Sequence, residues 1–376
     1  WCDATKEELQ ELREYQKANN LPTGYDGRSR DKNIQSTIDD PNTVLRFRMP
    51  ENRDVVIRDS MRGDITVNSS EYDDQILLKS DGYPTYHFAV VVDDHHMEIT
   101  HSMRGQEYIS SAIIDVLLYE ALGWESPEFV HLPVILGEDK SKLSKRHGAV
   151  SITDYRDMGY MPEALFNFMA LLGWAPPDKE EVVSQEKLIE TFDLTRINRS
   201  PAVFDKEKLT WMNGEYLRAL TPEELDQRLR PFYAEWGWTA DDSYLVAVAK
   251  AMQERLKLLT DMNPNGAFFF EPVTEYEEKG VKKHFRKEGA IERLTDLFNS
   301  FRAIDEWNEE NIENAIRELA EKRGEGAGKL IHPMRLATSG LTLGPSAFEI
   351  VLILGKDEVL ERFVKAWEYI EKLETE

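Results

Sequence analysis

The feature that most constrains the fold is a strand–helix–strand pattern between residues 88 and 136. Phe88-Ala89-Val90-Val91-Val92 is an unbroken apolar run closed by Asp93-Asp94, the pattern of a parallel strand buried on both faces. An apolar helix is predicted from Ile109 to Leu122, with Gly123 as its stop. A second strand follows over 130–136. Such a unit is a right-handed α/β crossover, whose ligands sit at the carboxyl ends of the strands. At that edge, after Leu132-Pro133-Val134-Ile135-Leu136 and the turn Gly137-Glu138-Asp139, comes Ser141-Lys142-Leu143-Ser144-Lys145-Arg146-His147-Gly148. Short basic runs are commonly solvated turns. At the end of a buried strand this one reads as a mobile loop able to close over a polyphosphate and neutralise developing charge.

On either side of the crossover the text changes character. Thr5-Lys6-Glu7-Glu8 is a capping box opening a helix to about Ala18. Val44 to Met49 and Asp64 to Asn68 alternate as strands do, and Ile76 to Lys79 reads as a short strand. Arg28, Arg30, Lys32, Arg46, Arg48, Arg53, Arg58 and Arg62 make this first stretch cation-rich, as either strand-surface charge or a phosphate-facing patch. Beyond Gly148 helices dominate: 153–158, 162–172, 186–192, 205–218, 242–259, 290–301, 309–322, 346–354 and 356–373. Another is opened by Thr221-Pro222-Glu223-Glu224, with Pro at the first helical position. Gly324 to Gly328 reads as a flexible joint.

Composition limits the chemistry. With 46 Lys and Arg against 70 Asp and Glu, the formal charge is −24, so the chain is no general nucleic-acid coat, although a local basic face can bind one. The length, 376 residues, suits two to four domains, and no apolar run approaches the ~20 residues of a membrane span. The lone cysteine, Cys2, has no partner for a disulfide and none at zinc-ligand spacing. No G-x-S-x-G elbow, Walker A loop or G-x-G-x-x-G occurs. A lysine-rich loop in place of a glycine cradle is the nucleotide site left open.

Lys142-Leu143-Ser144-Lys145-Arg146 resembles the K-M-S-K-S signature of class I aminoacyl-tRNA synthetases in its glutamyl K-[LI]-S-K-R form. The likeness continues through Asp81 to His87, Val91 to His95, Leu117 to Gly123, Gly159 to Leu165, Ser200 to Asp205 and Gly344 to Lys356. It covers nearly the whole chain, which is similar to bacterial-type glutamyl-tRNA synthetases. The implied fold is multidomain α/β plus all-α: the C-terminal half of a class I synthetase Rossmann fold with an inserted α+β domain, then helical domains. The implied division is residues 1–85 as an acceptor-end-binding insertion and 86–123 as the second part of the Rossmann domain. Residues 124–220 would be a stem-contact domain, 221–285 and 286–376 two helical anticodon-binding domains. Family members begin with a Rossmann half carrying an H-x-G-H-like signature that holds ATP. The chain opens on Trp1 without one, so about a hundred preceding residues are expected, one domain half, and this chain alone is not expected to activate glutamate.

The resemblance implies glutamate–tRNA ligation: activation of L-glutamate by ATP with Mg2+, then transfer to the 3′ end of tRNA(Glu), in the cytoplasm and as a monomer. It assigns Lys142 and Lys145 to phosphate stabilisation. Glu107, Ile135, Leu143, Ser144 and Arg146 join them around ATP, and Tyr86 and Arg104 around glutamate. Arg28, Arg46, Arg48, Arg255, Lys257 and Arg335 are the tRNA-contact candidates. Where some relatives carry zinc ligands this chain has Cys2, Ser29 and Asp31, so no structural zinc is expected. The family usually has asparagine at Val90, an acid at Gln106, and Trp or His at Tyr108. Two competing readings remain. A glutaminyl enzyme typically ends in β-barrels, whereas this end reads as helices. A non-catalytic tRNA-binding paralogue is opposed by the Lys142 and Lys145 pair and favoured by Val90 and Gln106.

Overall fold

The inward face of the first sheet is set by Asp54–Asp59 (β2), where Val55, Ile57 and Asp59 are buried and the residues between them exposed. That alternation fixes register, since a slip of one residue would turn all three outward. β2 pairs antiparallel with Gly63–Asn68 (β3), Asp54 opposite Asn68 and Asp59 opposite Gly63. The chain is seen here as a computed structural model that describes residues 1–144, 146 and 151–375. Before β2, the capping box at Thr5 opens Lys6–Ala18 (α1) as expected. Of the alternating stretch 44–49, only Leu45–Arg46 (β1) is strand, paired antiparallel with Ile76–Leu78 (β4).

The run 88–92 is not a strand. It lies inside a helix, Tyr86–His96 (α2), in which Val91 is the only buried residue. An apolar run of five has no periodicity to separate strand from helix, and its β-branched content is overridden by packing. The crossover survives with a different first strand, His101–Gly105 (β5). Gln106–Ser111 follows as a 3-10 helix, then Ala112–Leu122 (α3), ended by Gly123 at φ 71°. Glu128–Leu132 (β6) lies parallel to β5, Ser102 opposite Phe129, and meets β2 at Asp59. The order is β3-β2-β6-β5. The expected strand 130–136 is two strands. Pro133 has no N–H to give a ladder, and Ile135–Leu136 (β7) pairs instead, in parallel, with Ala202–Val203 (β8).

These elements belong to a compact unit made of Trp1–Leu143, Leu172–Pro177 and Thr191–Phe204. Its core packs Val55 and Ile57 of β2, Phe129 of β6 and Val91 of α2 around Ile113, Ile114, Leu117 and Leu118 of α3. Each such side chain contributes about 1.5–3 kcal/mol when fully buried.

The second unit comprises Ser144–Leu171, Asp178–Glu190 and Asp205–Glu376 and is helical: Ile152–Asp157 (α4), Pro162–Leu171 (α5), Gln185–Thr191 (α6), Lys206–Ala219 (α7), Pro222–Trp236 (α8) and Asp242–Met252 (α9). The helix expected to reach residue 259 ends at Met252 and continues as 3-10 turns. α8 has the expected cap: Thr221 Oγ1 accepts from the Glu224 N–H at 3.2 Å, and Glu224 accepts from the Thr221 N–H at 2.8 Å. The last core gathers helices 290–302, 309–323, 328–339, 347–354 and 356–375 around Leu294, Phe301, Ile316, Met334 and Phe363. Helix Gly328–Ser339 starts within the expected joint and carries Pro333 inside it, so neither end nor middle reads as helix. Among the described residues no helix is long and apolar enough to cross a membrane.

Candidate active site

The site grows from two short connections at the carboxyl ends of β5 and β7. The first presents Arg104, Glu107 and Tyr108. The second is the start of the basic loop.

α2 brings the amino-acid candidates to β5. The turn before it is closed by Lys79 donating to Tyr83 O at 2.9 Å, with Gly82 at φ 77°. Thr85 then ties the helix start to β4, its N–H on Leu77 O at 2.8 Å and its Oγ1 on Ile76 O at 2.6 Å. Tyr86 is therefore the first helical residue, and Tyr86, Val90 and Asp94 share one face at four-residue spacing. Arg104 meets that face. Its guanidinium carbon lies 5.8 Å from the Tyr86 ring and 5.8 Å from the Tyr108 ring, two rings that are 6.0 Å apart. This is cation–π distance. Burial pushes the Tyr86 hydroxyl pKa up, with the Arg104 charge opposing it.

The guanidinium is also ion-paired. Arg104 Nη1 donates to Asp115 Oδ2 at 2.9 Å, and Nη2 lies 3.7 Å from Asp94 Oδ2. Asp115 Oδ1 is 2.8 Å from His87 Nδ1. The structural ion pair and the exposed aromatic pocket thus occur together at one arginine. Sequence reasoning had passed over Asp115, although one signal was present: a single charge inside Ala112-Ile113-Ile114-Asp115-Val116-Leu117-Leu118 demands a partner. Gln106, at a position where an acid is usual, accepts from Arg62 Nη2 at 2.8 Å, while Arg62 Nε donates to His131 O at 3.1 Å. An aqueous cavity of about 610 Å3 opens beside Tyr86 and His87, lined also by Arg13, Lys17, Tyr25 and Arg46.

The loop start is more ordered than a mobile turn. Leu136 and Lys142 face each other antiparallel, Gly137 donates to Ser141 O at 2.8 Å, and Leu143 donates to Ile135 O at 2.9 Å. Asp139 Oδ1 accepts from Ser141 N at 2.9 Å and Ser141 Oγ at 2.8 Å, and Lys140 turns the chain at φ 62°. This hairpin is anchored to β8 through the β7 pairing and the Phe204 N–H on Leu136 O at 2.8 Å. It delivers Lys142 Nζ to Glu107 Oε1 at 3.0 Å. Glu107's own backbone N–H and the Lys142 ammonium hold its carboxyl below the usual range. Ile135, 36% exposed, offers an apolar surface beside the hairpin. So Glu107, Ile135, Lys142 and Leu143 come together at the edge that also carries Arg104 and Tyr86. Ser144 and Arg146 fall in the second unit, Arg146 exposed. Lys145 lies outside the described residues, as do His147 and Gly148.

The other candidates are spread out. Arg28 pairs with Asp26 at 3.0 Å, and Arg48 with Asp31 at 3.7 Å. Arg46 lies over the Tyr25 ring at 3.9 Å and donates to Asp74 O at 2.6 Å. Cys2 Sγ and Ser29 Oγ are 3.5 Å apart, with Ser29 Oγ donating to Asp3 at 2.9 Å. Among the described residues no group of three or more His, Cys, Asp or Glu could hold a metal ion. In the helical unit, burial and then the charge of Arg255 lower the Arg335 pKa, which places those two cations in one neighbourhood. Arg335 donates to Pro345 O. Lys257 is exposed, and its backbone carbonyl accepts from Asn213 Nδ2 at 2.6 Å.

Comparison with known proteins gives the family. A family model described as tRNA synthetases class I (E and Q), catalytic domain, matches residues 1–211, and one for an anticodon binding domain matches 224–367. Glutamate--tRNA ligase of Moorella thermoacetica is 41% identical over 379 aligned residues, covering 98% of this chain and 77% of its own. Glutamate--tRNA ligase 2 of Thermoanaerobacter pseudethanolicus is 40% identical, covering 99% of this chain and 79% of its own. The crystal structure of a glutamate tRNA ligase from Elizabethkingia meningosepticum, in complex with its amino acid, superposes with a TM-score of 0.86 at 34% identity, over 98% of this chain and 78% of that one. By these matches the chain belongs to the glutamate–tRNA ligases, in the E and Q branch of the class I tRNA synthetases.

Proposed function

We propose that this chain supplies the amino-acid pocket and the phosphate loop of an ATP site that activates L-glutamate and transfers it to tRNA(Glu). The observation that carries it is the adjacency at one sheet edge of an aromatic-flanked Arg104 and, three residues on, a Glu107 that holds Lys142. An arginine beside two rings suits an amino-acid carboxylate. A lysine delivered by a hairpin suits phosphate.

In the first step the glutamate α-carboxylate oxygen bonds to the α-phosphorus of ATP while the bond from that phosphorus to the β-bridging oxygen breaks, releasing pyrophosphate. In the second, a hydroxyl of the terminal tRNA ribose bonds to the acyl carbon and AMP leaves. ATP would arrive with Mg2+; the chain's own contribution is positioning and charge. Lys142 and Lys145 stabilise the phosphates as negative charge shifts onto pyrophosphate. Glu107 holds Lys142 until phosphate takes its place, Ile135 packs against the adenine, and Leu143, Ser144 and Arg146 complete the loop around the nucleotide. Tyr86 and Arg104 hold the glutamate.

The tRNA partner is gripped at its acceptor end by residues 1–85, with Arg28, Arg46 and Arg48 as phosphate contacts that position without reading sequence. Residues 124–220 touch its stem. The helices of 221–285 and 286–376 read the anticodon, with Arg255, Lys257 and Arg335 beside splayed bases. The protein works in the cytoplasm as a monomer.

Amino-acid-dependent ATP–pyrophosphate exchange, measured with tRNA in the native protein, tests the reading. L-Glutamate should support exchange and L-glutamine should not. Lys145→Ala should cut exchange by about 10²–10³-fold, the usual loss of one transition-state contact, while tRNA affinity holds. Exchange at the wild-type rate in that variant would remove Lys145 from the mechanism.

A further inference from the structure

Asp115 is 1% exposed, at the fourth residue of a helix whose first seven residues are otherwise apolar, and neither of its oxygens is idle. Oδ2 accepts from Arg104 Nη1 at 2.9 Å, and Oδ1 sits 2.8 Å from His87 Nδ1. A carboxylate this buried persists only when paired in this way. The consequence falls on Arg104, which also has Asp94 at 3.7 Å. One guanidinium is then answered by two carboxylates. Neighbouring groups register it. Burial, and after it the charges of Asp94 and Asp115, push the Tyr119 hydroxyl up to about 12, with Arg104 opposing. Asp94 itself is raised by burial, with Asp115 adding to the rise. An arginine that binds a substrate carboxylate by charge does so most strongly when nothing else answers that charge. Here a buried acid answers it permanently.

We infer that Asp115 is a positioning residue that pins one edge of the Arg104 guanidinium beside the Tyr86 and Tyr108 rings and weakens its pull on a carboxylate of the amino-acid substrate. The inference rests on the reading of Arg104 as the amino-acid arginine. It separates two effects that one side chain exerts in opposite directions: the hydrogen bonds hold the fork in place, and the charge discounts its attraction.

Asp115→Asn separates them experimentally. The amide keeps the outline, can accept from Arg104 and donate to a neutral His87, and carries no charge. In the native protein, with tRNA present, KM for L-glutamate should fall several-fold in pyrophosphate exchange, while KM for ATP and kcat stay put. Asp115→Ala, which removes the pin, should raise KM for L-glutamate and again spare KM for ATP. If that variant does not fold, the asparagine variant decides alone. Competitive inhibition by L-glutamine, which lacks the side-chain carboxylate, and by L-glutamol, which lacks the α-carboxylate, tells which group Arg104 holds. The analogue missing it should be unmoved by Asp115→Asn, and the other should tighten. A KM for L-glutamate that is unchanged or raised in Asp115→Asn, KM values for glutamate and ATP that move together, or equal shifts for both analogues would overturn the role of Asp115. Absence of glutamate-dependent exchange in the wild-type protein would instead defeat the functional reading beneath it.

Discussion

The phosphate-binding role proposed for Lys142 asks nothing structural of the side chain. Its ion pair with Glu107 is solvent-accessible on both sides, 64% and 47% exposed, and the hairpin that presents it is closed by backbone bonds and by Asp139, not by the lysine. Exposed pairs contribute about 0–1 kcal/mol, so Glu107 can release the ammonium to a phosphate at little cost. Lys142→Ala should therefore leave the thermal midpoint essentially unchanged while slowing pyrophosphate exchange by about 10²–10³-fold at saturating ATP. Calorimetry beside the exchange assay checks both halves, and a large drop in midpoint would mean the lysine is a structural strut. Lys142 and Arg104 stand out in the sequence as candidates because each sits in a short local motif. Asp115 does not, because its meaning lies in partners 11 and 28 residues away, Arg104 and His87, that only the crossover brings together.

At the scale of elements, local signals read correctly and shared ones did not. The capping box at Thr5 and the N-cap at Thr221 both form as expected, because a cap is written within four residues. The run 88–92 was ambiguous in itself, and β5 was hidden because His101-Ser102-Met103-Arg104 exposes His101 and Met103 and buries only Ser102, so no apolar alternation marks it. In the last helical core, the junction after helix Glu309–Arg323 is fixed by charge. Gly324 ends the helix at φ 62°, and Glu325 bonds to Arg293 through both oxygens, at 3.0 and 2.9 Å, with Arg323 beside it. That hydrogen bonding, chiefly from Arg293, holds the Glu325 carboxyl well down, to about 2. A carboxyl depressed on folding contributes stability above its unfolded pKa and loses it as pH falls through the folded value. The contribution is therefore present at neutral pH and disappears between about pH 4.5 and 2. Glu325→Gln should lower the thermal midpoint at pH 7, and the gap from wild type should close as the melts are taken down through that window. A gap that persists at pH 2 would assign the loss to packing.

At the scale of the whole chain, the two compact units are not consecutive stretches. The polypeptide leaves the first unit at Leu143, returns for Leu172–Pro177, and returns again for Thr191–Phe204. What each return supplies differs from what the first stretch already holds. The apolar core of the first unit, from Met49 to Phe129, lies wholly within residues 1–143. The second return supplies β8, to which β7 and so the base of the basic hairpin is paired. Stability and the functional edge are thus written in different parts of the sequence, and a cut at residue 143 separates them. A fragment of residues 1–143 keeps the β3-β2-β6-β5 sheet and α3, and it should still melt cooperatively. Its hairpin from Ile135 to Leu143 loses its parallel partner, and an isolated two-stranded hairpin is marginal in water. Amide exchange resolves the two regions. In the fragment the Val130 amide of β6 should stay protected, while the Leu143 amide, which donates to Ile135 O in the intact chain, should exchange near the unfolded rate. In the intact chain both should be protected. Equal protection of Leu143 in fragment and intact chain would mean that the hairpin closes on its own bonds and needs nothing from β8.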